Sequence, residues 1–386
     1  MSELQLMVLV LAVIYGWECL AWLRRGGVAF RKDWRGHWRL AHPAAVLGNQ
    51  TGGVVVAQPL PPLGYLVTAY QSPLSCSPDG VFSYVAQCVN PGWRPPQAAR
   101  YFSFAEIKTI TVVNRQVRLN NTLLLSAASV YQAEHLAGQL RQLLPLDPAR
   151  RANAIRALQR DSLDTKAIQQ RWEAFLVTGN RLRWLANGLL AYLFVLAPAG
   201  FWYFGFVRGW LPLLLGLLAF TITNTVLFHR AHRRLYPKAD DDRLTQDCLI
   251  LLAPATSARS HDALARHLLE PFHPLAVAQL FLPAAEFRAF ARRVLLELRH
   301  PCLPVCPATA PAGAAAAEVS SRTAWLTEVE AFVAKHGISL PELLRPPERT
   351  EPGVQSYCPR CEAQFTAATG ECTDCGGLPL VRFPGA

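Results

Sequence analysis

The sequence predicts a multi-domain α+β membrane protein, on three observations. Three apolar runs have the length of membrane-spanning helices. A region of short strand-like segments is closed by one amphipathic helix. Four cysteines stand in two C-x2-C pairs near the C-terminus. The expected order is a transmembrane anchor over 1–24, a β-rich cytoplasmic domain over 30–145 and a helical stalk over 148–181. A transmembrane hairpin follows over 184–229, then a cytoplasmic helical unit over 240–303 and an Ala/Pro-rich linker over 304–321. A short helical segment over 322–346 and a cysteine-bearing module over 355–383 complete the chain.

The hairpin rests on two runs, Trp184 to Phe206 and Trp210 to His229. Each has about twenty residues without Asp, Glu, Lys or Arg, enough to cross about 30 Å of hydrocarbon. Core helices of soluble proteins rarely stay uncharged all round for that length. Only Val207 to Gly209 separate the runs, with Arg208 the lone charge in the expected turn. Trp184, Trp202, Tyr203 and Trp210 lie near the ends, where amphipathic rings favour the interface. Pro198 is expected to kink the first helix. Thr221, Thr223, Asn224 and Thr225 are read as polar glue between helices, in preference to an ion path.

The third run, Leu4 to Leu23, has no Lys or Arg before it, and Arg24 and Arg25 directly after it. It is read as an uncleaved anchor in preference to a signal peptide, with Glu18 near the inner interface. Lys and Arg total 38 against 27 Asp and Glu, a net charge of +11. Much of the excess flanks the apolar runs: Arg24, Arg25, Arg31, Lys32, Arg35 and Arg39; Arg171, Arg181 and Arg183; Arg230, Arg233, Arg234 and Lys238. The positive-inside rule then gives an outside N-terminus and a cytoplasmic C-terminus, as in a multi-pass protein of a bacterial inner membrane. Arg24, Arg25, Arg230, Arg233 and Arg234 are placed to meet anionic lipid headgroups. Six of the ten cysteines lack disulfide-like regularity, so Cys76 and Cys88 are read as free thiols in a reducing compartment.

Between Phe30 and Leu144, short runs recur between Pro, Gly, Asn and Ser punctuation. They are Gly53–Ala57, Gly64–Ala69, Val81–Cys88, Arg100–Phe104, Ile107–Val113, Gln116–Leu119 and Thr122–Ser126. Asn120-Asn121 suits a tight turn, since Asn tolerates positive φ. A helix with Ala133, Leu136, Ala137, Leu140, Leu143 and Leu144 on one face and Ser129 as N-cap closes the unit. This suggests a small, partly open barrel or sandwich. The segment from Tyr101 to Leu144, with its F-x-x-I strand, meander and final helix, resembles the C-terminal half of bacterial pleckstrin-homology-like domains. That resemblance implies a binding or scaffold module and carries over no phosphoinositide site.

Pro148 to Val177 reads as one polar helix with Ile155, Leu158, Ile168, Trp172, Phe175 and Leu176 on its apolar side. After the hairpin, His229 and His232 read as part of a basic flank. Asp240, Asp241 and Asp242 read as an acidic helix start. In the helix over Ala284–Leu298, Phe287, Phe290, Ala291, Val294, Leu295 and Leu298 form the apolar side. His261, His267, His273 and His300 have no i, i+4 pair and read as neither metal ligands nor bases. Cys302 and Cys306 are taken as incidental loop thiols. Ala308–Ser321 is expected to be a linker. Trp325, Leu326, Val329, Phe332 and Val333 give the next helix an apolar face, free to dock a partner or to pack back on the helical unit. Gly337 is its C-cap.

The strongest local motif is Cys358-x2-Cys361 with Cys372-x2-Cys375. Two C-x2-C turns each present two thiolates, and together they complete a tetrahedral site for a metal. Pro359 stiffens the first turn, and Gly376 and Gly377 let the chain bend after the last ligand. The ten residues between pairs are expected to form a short hairpin. The segment resembles zinc ribbons. Iron fits the same spacing, but no electron partner favours it. Four thiolates leave no open position for water or substrate, so a structural zinc is expected, with catalysis elsewhere or absent. Arg360 and Arg382 stand against Glu362, Glu371 and Asp374, so the module has no strong basic face. A protein partner through this module or the helical unit is expected, and nucleic acid is not.

No catalytic constellation emerges from these residues. The chain therefore reads as a non-enzymatic scaffold, adaptor or regulator. The alternative is a subunit of a transporter or envelope-biogenesis enzyme that handles an anionic lipid or substrate at the cytoplasmic face.

Overall fold

The computed structural model describes residues 2–21, 27–32, 35, 37–40, 65–69, 74–84, 99–127, 129–237, 240–265, 267–301 and 313–384. The expected strand Gly53–Ala57, and Arg24, Arg25, Cys88, Cys302 and Cys306, lie outside them. The fold mixes helices with small sheets, and among the described residues two helices are long and apolar enough to cross a membrane.

The chain starts with α1, Glu3–Ala21. Among the described residues nine strands follow: β1 Gly27–Lys32, β2 Trp38–Leu40, β3 Tyr65–Ala69, β4 Leu74–Cys76, β5 Gly80–Tyr84, β6 Ala99–Ser103, β7 Ile110–Val113, β8 Gln116–Leu119 and β9 Thr122–Ser126. They form three antiparallel sheets of order β2-β1-β3, β4-β5-β6 and β7-β8-β9. Asn120 and Asn121 make the β8–β9 turn with φ of 48° and 65°, the left-handed pair that a two-residue hairpin needs. On β8, Val117 and Leu119 face inward while Gln116 and Arg118 face outward. Helix α2, Val130–Leu143, lays Ala133, Ala137, Leu140 and Leu143 over them. Ser129 caps it by accepting from the Gln132 N–H at 3.0 Å. Val81 and Phe104, on and beside the middle sheet, join the same core. The Ser83 hydroxyl ties that sheet to β9 by donating to the Leu124 carbonyl at 2.5 Å.

The expected single polar helix is two. Helix α3 runs Pro148–Ser162 and α4 runs Thr165–Ala191, each started by an aspartate, Asp147 and Asp164, that accepts from its first turn. Neither is a free stalk. Ile155 is buried in the β core, while Ile168, Phe175 and Leu182 enter the larger helical core. Arg151 lies over the Phe104 ring, 4.2 Å from its centroid, and donates to the carbonyls of Leu143, Leu146 and Pro78.

Helix α4 continues through a π-turn, Tyr192–Leu196, into α5, Ala197–Phe204. Pro198 has no N–H for the ladder and its ring crowds the Phe194 carbonyl, which accounts for the irregularity just before it. The chain reverses at Gly205, φ 76°, two residues before the expected turn, and α6 runs Phe206–Leu235. Glycines let the two helices approach. A Cβ on Gly209 would lie 2.4 Å from the Phe201 ring. The Tyr192 hydroxyl reaches across to the Pro212 carbonyl at 2.8 Å. The outer face of α6 shows Leu211, Leu214, Leu215, Leu218, Ile222 and Val226, all exposed.

The helical unit is completed, among the described residues, by α7 Asp240–Leu252, α8 Pro254–Ala258, α9 Ser260–Ala265, α10 Pro274–Phe281, α11 Ala284–Arg299 and α12 Ala314–Lys335. Strand β3 lies beside α9 and β2 beside α10, and Arg39 pairs with Glu286 of α11 at 2.7 Å. Phe287, Phe290, Val294 and Leu295 of α11 are buried, each contributing about 1.5–3 kcal/mol. Helix α12 starts at Ala314, inside the segment expected to be linker. The run Ala314–Ala317 has the highest helix propensity of any residue type. Val329, Phe332 and Val333 pack back into the same core, so the α12 apolar face is filled from within the chain. A short helix, α13 Leu340–Leu343, leads to the C-terminal module.

Candidate metal centre

The last module is held by five two-residue strands: β10 Ser356–Tyr357, β11 Gln364–Phe365, β12 Glu371–Cys372, β13 Leu378–Pro379 and β14 Val381–Arg382. They form a sheet β11-β10-β14 and a separate pair β12-β13. The ten residues between the cysteine pairs therefore bridge two sheets, and do not fold as a hairpin.

The Sγ atoms of Cys358, Cys361, Cys372 and Cys375 all lie within 4.8 Å of one another. Cys361 and Cys372 are 3.8 Å apart. A tetrahedron of bonds about 2.3 Å long has edges of about 3.8 Å, so the thiols already stand at the spacing of a shared zinc. Cys358, Cys372 and Cys375 are buried. Each knuckle is closed by a backbone hydrogen bond to its first cysteine. The Glu362 N–H bonds the Cys358 carbonyl at 2.9 Å, and the Gly377 N–H bonds the Cys372 carbonyl at 3.0 Å. The residue after each second cysteine is left-handed: Glu362 at φ 61° and Gly376 at φ 72°. Glycine takes that conformation freely, whereas Glu362 does so against a steric cost of about 1–2 kcal/mol.

The four thiols sit in unlike electrostatic environments. Burial, with the neighbouring thiols, pushes Cys361 up to about 11 and Cys375 higher still. Cys358 moves the other way: burial opposes it, but the N–H groups of Cys361 and Arg360 donate to its sulfur and hold it below the ordinary value. Four clustered thiols with backbone donors aimed at them suit a divalent ion, which would hold all four as thiolates.

Arg292 of α11 fastens this module to the helical unit. Its Nε donates to the Glu362 carboxylate at 3.0 and 3.2 Å, and Nη2 closes a second bond to the same group. Nη1 reaches the Leu343 carbonyl, and Nη2 also reaches the Arg345 carbonyl at 2.6 Å. The sequence signalled the cysteines but not this clamp, because residues 292 and 362 carry no pattern that links them.

The remaining candidate residues are dispersed. Arg230, Arg233 and Arg234 are exposed around the last turns of α6. His232, read as part of that basic flank, is buried, with its ring 4.8 Å from that of Tyr236. His229 Nδ1 lies 2.7 Å from an Asp247 carboxylate oxygen. Asp247 sits one turn beyond the acidic start of α7. His273 accepts from the Leu275 N–H at 3.2 Å, and burial lowers it to about 4. His267 Nδ1 meets Glu270 at 2.9 Å, and Glu270 accepts from the Ser129 hydroxyl at 2.5 Å, all three buried. Next to this trio, the Arg171 guanidinium stands over the rings of Tyr131 and Tyr236. The i, i+3 spacing of His267 and Glu270 was the only sequence trace of this cluster. Asn224 donates to the Ser257 carbonyl at 3.2 Å and to its hydroxyl at 2.9 Å, the glue role read for it. Cys76 is a free thiol that burial pushes up to about 12. Comparison with known protein families, with curated proteins and with solved structures finds no match for this chain.

Proposed function

We propose that this chain is a membrane-anchored, non-enzymatic scaffold or adaptor whose C-terminal zinc ribbon recruits a protein partner on the cytoplasmic side. The observation that carries the reading is the four-cysteine cluster. A site closed by four thiolates offers no open coordination position, so its zinc would order the module without doing chemistry. The clamp from Arg292 to Glu362 supports a display role, because it holds the module at a fixed place on the helical unit. A groove of about 600 Å³ beside that clamp, lined by Arg288, Arg292, Ile338 and Glu342, offers the partner a second surface.

The anchor would be the hairpin Thr165–Phe204 and Val207–Leu235, with α1 as a third span and its N-terminus outside. The exposed leucines of α6 support this, since a soluble monomer rarely shows so long an apolar stripe. Arg230, Arg233 and Arg234 would meet anionic headgroups of a bacterial inner membrane. The resemblance of the segment Tyr101 to Leu144 to the C-terminal half of pleckstrin-homology-like domains supports a binding role for the β core, without a ligand.

The test is affinity capture from native membranes with the intact chain and with Cys358→Ser/Cys361→Ser, alongside metal analysis. One zinc per chain and one stoichiometric partner lost with the double variant support the reading. An unchanged partner would move the interface off the ribbon. Bound iron would replace the structural role with a redox one.

A second reading, a subunit of a transporter or envelope-biogenesis enzyme, is favoured by one feature. His267, Glu270, Ser129, Tyr131, Tyr236 and Arg171 converge where α4 and α6 leave the apolar stretch. Lipid or anion turnover lost in Glu270→Gln, with the partner still captured, would favour it over the adaptor.

A further inference from the structure

The segment Cys248–Ala258, CLILLAPATSA, is uncharged, and α7 runs antiparallel to α6 and alongside it. The contacts set its depth twice. Along α6, Asp247 stands level with His229, at the end of the second apolar run. Ser257 stands level with Asn224, five residues or about 7–8 Å further into that run. Along α4 the second ruler agrees. Ala255 and Ala258 pack in one cluster with Leu189, Leu190 and Leu193, five to nine residues past Trp184, or about 7–13 Å into the first run. The chain then returns. His261 packs against Gly179, which precedes that run, and the Tyr236 hydroxyl donates to the Leu264 carbonyl at 2.6 Å.

We infer that residues 248–258 form a re-entrant hairpin, dipping about 10 Å into the cytoplasmic leaflet and out again, with acyl chains as the partner of its outer face. This rests on the membrane reading of the hairpin. Ile250 faces the core, while Leu249, Leu251 and Leu252 point outward, Leu252 at 80 % exposure. Leu218, Ile222 and Val226 of the adjacent α6 are likewise exposed. The break at Ala253–Pro254 would expose backbone polar groups to hydrocarbon, which is tolerated only where protein covers them. Here Ala255, Thr256, Ser257 and Ala258 are all buried, and Asn224 satisfies the Ser257 carbonyl.

The test places benzoyl-phenylalanine singly at three exposed positions of the full chain in phospholipid vesicles: Leu252, Leu218 on the hairpin, and Val319 on α12. After illumination, lipid adducts are counted by mass spectrometry. The expected result is adducts at 252 and 218 and none at 319. Adducts at 218 without any at 252 overturn the re-entrant segment and leave the membrane hairpin standing. No adduct at 218 removes the membrane reading, and this inference with it. A protein–protein adduct at 252 overturns it in favour of a contact between copies. As a second measure, Leu252→Asp lowers the inserted, folded fraction by about tenfold if the site is in hydrocarbon. An unchanged fraction, as in Val319→Asp, refutes the inference.

Discussion

Arg292→Ala should loosen the ribbon from the helical unit without unfolding either. The guanidinium holds three acceptors at once: the Glu362 carboxylate and the carbonyls of Leu343 and Arg345. A net hydrogen bond to a charged group contributes about 1.5–3 kcal/mol. The two side chains are 23 % and 31 % exposed, so screening favours the lower end for the carboxylate. The carbonyls can recover water once the module moves, and add about 1 kcal/mol between them. The total is about 2–3 kcal/mol, or about 30- to 150-fold in the opening equilibrium. Amide exchange in the peptides covering 340–345 and 358–363 should accelerate by that factor, while α11 amides stay protected. Arg292→Lys keeps the charge but loses the fork, and should fall between the two. In a cycle with Glu362→Ala, the pair should couple by about 1–2 kcal/mol. Acceleration below about threefold, or strict additivity with Glu362→Ala, would show that the clamp holds nothing.

Three further outcomes are expected. Chelation, or Cys361→Ser, should melt residues 354–383 and leave the helices intact. Circular dichroism that keeps its helical signal while ribbon amides lose protection checks this, and concerted loss of both would contradict it. His273 must be neutral to cap α10, and burial lowers its pKa from 6.5 to about 4. Its contribution is full above pH 6.5 and is lost as the pH falls toward 4, where it costs about 3 kcal/mol. Asn accepts the same cap bond without titrating, so His273→Asn should reduce the slope of the melting-temperature profile across that window, leaving the part due to His261, which burial also lowers to about 4. Parallel profiles would rule this out. Asn224→Leu removes both bonds to Ser257 and should cost about 1–2 kcal/mol in detergent unfolding titrations, whereas Thr223→Val, whose hydroxyl bonds only its own helix, should be near neutral.

Local signals were legible in the sequence wherever one residue type answers one local need. Ser129, Asn120-Asn121 and the paired cysteines each work within a few residues of themselves, and each stands where the pattern put it. The helix break at Leu163–Asp164 was also written locally, in an aspartate three residues before Ala167, but the apolar side of the longer run outweighed it. Contacts across long sequence separations were not legible. Phe228 and Tyr236 flank His232 at the local i−4 and i+4 positions, but its burial at 1 % exposure comes from elements packed against that face, which the neighbouring residues do not announce. The same holds for α7. Its leucines have the length of a soluble core helix, and an eleven-residue uncharged stretch falls below what a spanning segment needs. The position of α7 along α6 is set by the contacts of Asp247 with His229 and Ser257 with Asn224. Each joins residues far apart in the chain, and together they fix the direction in which α7 runs along α6.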